Sequence, residues 1–194
     1  MSAPHVGPRR LVYQSPRQRV FQRTVDFGAF QKEYFVAEVG TRVGMVLTRG
    51  EQVLLVRQYR FVINAQAWEI PGGKVDDHEM LKDAAIRETF EETGLRCHNA
   101  EPLLFFQPGM DTFVNPTHVF RSAHFTAERD FAPDPAEVTE LAWVPIEECL
   151  RRIFRGEIVD SFTITALLGH HATRLDPTLH GTASPHSLSS PEPT

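Results

Sequence analysis

The sequence predicts an α+β fold, a mixed β-sheet packed between a few helices and preceded by N-terminal antiparallel strands. Three observations carry the prediction. Runs rich in β-branched and aromatic residues come in pairs separated by glycine-containing turns. Three segments carry helical spacing with a recognisable cap or stop. The composition, 41% hydrophobic and 23% charged over 194 residues, belongs to a globular chain long enough to bury a core.

Residues 1–10 hold two prolines and read as a flexible N-terminus. Within 11–40, "RVFQRTVDF" (19–27) and "EYFVAEV" (33–39) flank a turn with Gly28 and predict a hairpin. "TRVGMVLT" (41–48) and "EQVLLVRQYR" (51–60) flank Arg49-Gly50 and predict a second. Further strands are expected around 100–107 and 117–126, and "ELAWVP" (140–145) predicts a short strand halted by Pro145. Ile146, Leu150 and Ile153 share a helical face that Gly156 stops. A last helix is expected over 160–171, capped by Asp160 or Ser161. The main domain is thus expected over 41–170. Residues 171–194 are rich in Pro, Ser and Thr, too poor in large apolar groups to repay ordering, and predict a disordered tail.

The bulk numbers exclude several function classes. A net charge of -5 offers no field for a nucleic-acid partner, although a small phosphate ligand can be met locally. Nowhere do about 18 apolar residues run together, so no membrane span is expected. The start, "MSAPHVGPRR", lacks the apolar run of a signal peptide. Cys97 and Cys149 make no disulfide framework and read as small core residues of a reducing compartment. A cytoplasmic protein is expected. The nine histidines form no metal-like pair on one helix or strand and read as surface groups.

The most informative stretch is "WEIPGGKVDDHEMLKDAAIRETFEETGL" (68–95), dense in acids. Asp76 followed by Glu79 fits a capping box, and Gly94 is a natural C-terminal stop, so a helix is expected from Asp76 to Gly94. Leu81, Ala84, Ala85, Glu88, Glu91 and Glu92 fall on one broad side, with Ile86, Thr89, Phe90 and Thr93 opposite. A solvated acidic face is the ordinary reading of such a helix. Against it, Glu88, Glu91 and Glu92 repel one another at i,i+3 and i,i+4 with no lysine between them. They also sit late in the helix, where its dipole disfavours negative charge. Arg87, one turn before Glu91, is too little compensation alone. A divalent cation bound by carboxylate oxygens would supply the rest.

Gly73, five residues, Glu79, seven residues, Arg87-Glu88, two residues, Glu91-Glu92, one residue, then Gly94-Leu95: this pattern resembles the box of the Nudix hydrolases. Thr89 stands where an aliphatic residue is more usual. The resemblance implies a Nudix-type sandwich of mixed sheet between helices and cleavage of a diphosphate that joins a nucleoside to a second moiety. Carried over by position, Glu88 and Glu92 are the main ligands of Mg²⁺ (or Mn²⁺). Glu91 is a further ligand, and the Gly72 carbonyl completes the set. Arg87 and Glu79 orient the acids.

The flanks narrow the resemblance to the ADP-ribose pyrophosphatase-like group, on "LLVRQYRFVINAQAWEIPGGK" (54–74), "FFQPGMD" (105–111) and the segment from Glu137 to Leu168. It implies hydrolysis of a nucleoside diphosphate sugar, with ADP-ribose giving AMP and ribose 5-phosphate. Arg60 would meet a phosphate or the terminal sugar, Glu69 a ribose or base, and Trp68, Pro108, Gly109 and Asp111 would line the substrate. Glu137 would be the general base, with Asp134 its substitute. In that group the N-terminal strands are commonly exchanged across a homodimer, which residues 11–39 could do here. Gln107 replaces the usual serine in 107–118, and the acid after it is missing. That departure keeps a UDP-, GDP- or ADP-hexose as the competing substrate. A non-catalytic module that senses a nucleotide is the reading from a different class, opposed by the intact box.

Overall fold

The computed structural model describes residues 3–129, 131, 134 and 138–179. In chain order the strands and helices are β1 (His5–Val6), β2 (Arg10–Gln14), β3 (Arg19–Asp26), β4 (Gln31–Glu38), β5 (Arg42–Arg49), β6 (Gln52–Arg60), β7 (Ala65–Glu69) and β8 (Gly72–Lys74). There follow α1 (Leu81–Thr93), β9 (Leu95–Cys97), β10 (Glu101–Phe106), β11 (Phe113–Val114), β12 (Thr117–Ser122), β13 (Phe125–Ala127), β14 (Glu140–Pro145), α2 (Ile146–Phe154) and α3 (Ser161–Leu175). Two units can be distinguished, the described residues up to Arg42 with Phe106–Thr117, and the remainder.

The first unit is a five-stranded sheet in which β3 joins β4 antiparallel along its whole length, as the hairpin spacing requires. β1 and β2 pair with β3, and β11 pairs parallel with β4. Asp26 accepts from the Gly28 amide at 2.7 Å and tightens the hairpin turn.

The second unit is built on a seven-stranded sheet ordered β10-β12-β5-β6-β14, with β7 on β6 and β8 on β5. Helices cover both faces. Alternation along β5 sends Val43, Met45 and Leu47 to one face, where they pack with Leu54, Ala84 and Ala85 of α1, and Phe120. The other face of β5 carries Gly44, where a side chain would strike the Phe162 ring of α3 at 2.2 Å. Fully buried aliphatic side chains such as Leu54, Leu55 and Val56 stabilise this sandwich by about 1.5–3 kcal/mol each. Among the described residues no helix is long and apolar enough to cross a membrane. Cys97 and Cys149 are free and buried.

Two boundaries differ from the sequence reading. Helix α1 begins at Leu81 rather than after Asp76, because His78 adopts a left-handed conformation (φ 68°) that a helix cannot include. Glu79 still accepts from the Asp76 amide at 3.1 Å, so half of the expected capping box forms as a turn ahead of the helix. At the other end α3 runs through Leu175, past the expected tail boundary at 170. Burial of His170 and Thr173 and the ion pair of Arg174 with Glu51 hold that last turn, packing that composition does not register. His170 is therefore a core group and not a surface one, kept neutral by burial, which lowers its pKa to about 4.

Candidate active site

Glycine chemistry shapes the turn that faces α1. Gly72 has φ +157°, and a Cβ there would lie 2.4 Å from the Val43 carbonyl oxygen, so the close approach of β8 to β5 needs glycine. At Gly73 a Cβ would lie 2.3 Å from Oε2 of Glu88. The missing side chain is what lets that carboxylate rest against the backbone.

Helix α1 delivers the acids. Glu92 is 8% exposed and Glu88 is largely covered, while the Glu91 side chain is 52% exposed. Arg87 gathers three of the box acids. Its Nε donates to Glu79 at 2.9 Å, and its NH1 to Glu88 at 2.8 Å and Glu91 at 2.9 Å. NH2 also reaches the Lys74 carbonyl at 3.1 Å and ties the helix to the strand before it. Hydrogen bonding from Arg87 lowers the Glu79 pKa, and Glu79 in turn holds Arg87 firmly protonated. Glu88 is raised by burial, against the pull of Arg87.

Glu92 is held differently. Its Oε2 accepts from the Gly72 amide at 2.9 Å and its Oε1 from Nε2 of Gln58 at 2.5 Å. Burial pushes its pKa up to about 7, the two donors pull it down, and the charges of Glu88 and Glu69 push it further up. Arg60 and Glu69 complete the group. The Arg60 fork donates from Nε and NH2 to the two oxygens of Glu69 at 2.7 and 2.6 Å, a bidentate pair whose acid is buried.

The sheet decides who belongs here. In the β6–β7 register Gln58 stands opposite Ala67 and Arg60 opposite Ala65, on the face that α1 covers. Arg57 stands opposite Trp68 on the other face, and the Trp68 ring lies under the guanidiniums of Arg57 (5.5 Å) and Arg152 of α2 (5.8 Å). Trp68 thus stands apart from Glu69, Arg60 and the box acids, because adjacent strand residues point to opposite faces. Pro108, Gly109 and Asp111 belong to the first unit. There Gly109 turns the chain at φ 57° and accepts from the amides of Thr112 and Phe113, and Asp111 is exposed. Asp134 is exposed, and Glu137 lies outside the described residues. Gln58 carried no assignment from sequence, although its place two residues before Arg60 on one strand puts both on the same face.

Among the described residues no three acidic, His or Cys side chains converge on one point as a ready-made metal cage. The donor chemistry nonetheless suits a hard divalent cation. Glu88 and Glu92 are drawn onto one glycine turn, Glu92 without a cationic hydrogen-bond donor, in surroundings that penalise its charge.

Known proteins resemble this chain in sequence and in fold. The NUDIX domain profile matches residues 39–162. A CMP-5'-(N-acetyl-N-hydroxy-3-aminopropyl)phosphonate hydrolase of Streptomyces rubellomurinus is 33% identical over 144 residues, 73% of this chain and 68% of that protein. An ADP-ribose pyrophosphatase of Mycobacterium tuberculosis is 31% identical over 121 residues, 61% of this chain and 58% of that protein. The crystal structure of an ADP compounds hydrolase superposes with a TM-score of 0.77 at 15% identity, covering 89% of this chain and 94% of that one, and so shares the fold.

Proposed function

The chain belongs to the Nudix hydrolase family, and on that premise we propose that it hydrolyses the diphosphate of a nucleoside diphosphate sugar, ADP-ribose foremost, to AMP and ribose 5-phosphate. The observation that carries this reading is the pair of acids, largely covered Glu88 and buried Glu92, drawn against the glycines of one turn. The likeness to the mycobacterial ADP-ribose pyrophosphatase supports the choice of sugar.

Glu88 and Glu92, with Glu91 and the Gly72 carbonyl, would hold Mg²⁺ or Mn²⁺. Such a cation, when bound, neutralises diphosphate oxygens and makes a bound water more acidic. Arg87 sets the direction of Glu88 and Glu91 by holding one oxygen of each. Glu69 takes the Nε–Nη2 edge of Arg60 and fixes the guanidinium plane, with Nη1 the donor proposed to meet a phosphate or sugar oxygen. Glu137 is the proposed general base, and Pro108, Gly109 and Asp111 the proposed contacts to the sugar side. A homodimer through the N-terminal strands is proposed as well, supported by exposed Leu11, Val12 and Tyr13 on β2 and Phe35 on β4. Sedimentation as a monomer at micromolar concentration would remove the dimer.

A substrate panel tests the reaction. ADP-ribose, UDP-glucose, GDP-mannose and a CMP-linked phosphonate are incubated with Mg²⁺ or Mn²⁺ and the products separated. AMP released selectively from ADP-ribose is the expected result. Turnover of hexose nucleotides alone would replace the sugar. Cleavage of the CMP conjugate alone would align the chain with the Streptomyces relative. Binding with no product under either metal would leave a nucleotide sensor.

A further inference from the structure

The acids of this site are held in two ways. Glu79, Glu88 and Glu91 share Arg87, and Glu69 has Arg60, so each faces a cationic hydrogen-bond donor. Glu92 is buried, as Glu69 is, yet its two hydrogen bonds come from a backbone amide and a neutral side-chain amide. Gln58 is 5% exposed, near the end of β6, opposite Ala67 of β7 and one residue past Arg57, where the β14 pairing ends. Its cross-strand neighbour Ala67 is small and buried, which leaves the amide room to extend toward α1.

We propose that Gln58 is a positioning residue for Glu92: it fixes the carboxylate by a neutral hydrogen bond, so that the acid is oriented while its full charge stays available to a divalent cation. The proposal rests on the reading that Glu92 is a metal ligand. The choice of residue follows from charge. An arginine or lysine at 58 would make the same bond but neutralise the acid, and the cation would have to compete with a permanent internal counter-charge. An apolar residue would leave one oxygen of a buried carboxylate without its donor and free the side chain to turn. Glutamine gives direction without neutralisation. Partners of metal ligands typically govern about 10–100-fold in affinity or activity.

The test is a titration of the full chain with Mn²⁺, read by loss of the free-ion electron paramagnetic resonance signal, on wild type, Q58L, Q58K and E92Q. Thermal melts in chelator and turnover with saturating metal accompany it. We expect Q58L to bind Mn²⁺ about 10-fold or more weakly, with kcat reduced at saturating metal and KM for the nucleotide unchanged. Q58K should be weaker still, although it keeps a donor. A purely structural glutamine predicts the reverse order, because lysine would preserve the bond. Wild-type Mn²⁺ affinity in folded Q58L, with affinity lost in E92Q, overturns the role of Gln58 alone. Wild-type affinity in E92Q overturns the metal reading itself. Should Q58L or Q58K fail to fold, Q58N decides: it withdraws the amide by one methylene without adding charge. Unchanged Mn²⁺ affinity in Q58N would then sink the proposal, and a drop of about 10-fold would sustain it.

Discussion

Two arginine–carboxylate clusters lie in the larger unit, and they are near inversions of each other. Around Arg87 one guanidinium serves three glutamates, with buried Glu92 one turn away from Glu88 and held by neutral donors. On α2 one carboxylate, Glu148, serves three guanidiniums, those of Arg151, Arg152 and Arg155. The surrounding arginines hold Glu148 down to about 2, whereas burial pushes Glu92 up to about 7. The same chemistry gives a satisfied network on a solvated helix and an unsatisfied excess of negative charge in a covered turn. Counting ion pairs would rank the two alike. What separates them is which sign is in surplus and whether water can reach it.

The largest expected effect breaks the buried cluster at its centre. E92Q should cut turnover by at least about 100-fold while the fold survives, measured as kcat/KM beside a far-UV circular dichroism spectrum. Unchanged turnover would remove Glu92 from the reaction. R87A comes next, with an expected loss of about 10–100-fold, because Glu88 and Glu91 lose their common anchor. R87K should fall between, since an ammonium carries the charge but not the fork. G73A should cost about 10-fold in turnover, since its Cβ falls 2.3 Å from the Glu88 carboxylate and must displace it.

Acid titration sharpens the contrast in stability. The folded chain holds the Glu92 proton more tightly than the unfolded chain does, between the ordinary 4.5 and about 7. Its contribution is therefore favourable below that window and is lost as pH rises through it. With metal chelated, the Tm of E92Q should be flatter than that of wild type from pH 5 to 7.5, the gap corresponding to on the order of 2 kcal/mol. Glu148 behaves oppositely, its contribution full above 4.5 and lost as pH falls toward about 2. The smallest effect expected is that of E148Q at neutral pH: turnover as wild type and a Tm within about 2 °C, because exposed ion pairs are screened and replaced by water. A large loss of turnover in E148Q would mean that the two clusters are not functionally distinct.

Much of this protein was decided locally. The hairpins at 19–39 and 41–60, the strand ending at Pro145, the Asp160 cap and the Gly94 stop all follow from turn chemistry and periodicity that neighbouring residues dictate. The spacing of Glu88, Glu91 and Glu92 placed those acids along one helix with Arg87 in reach, and the box pattern sufficed to name the family. Other features needed the third dimension. The start of α1 turned on a left-handed His78, and the end of α3 on burial of His170 and Thr173. That Glu92 is covered while Glu91 is open, that Gln58 reaches Glu92, and that Trp68 turns away under Arg152 all depend on the register of β6 with β7 and on which sheet face α1 covers. A sequence states which side chains share a face of their own element. Only the packing of distant elements states what that face meets, and there burial turned a neutral glutamine and an acid into partners.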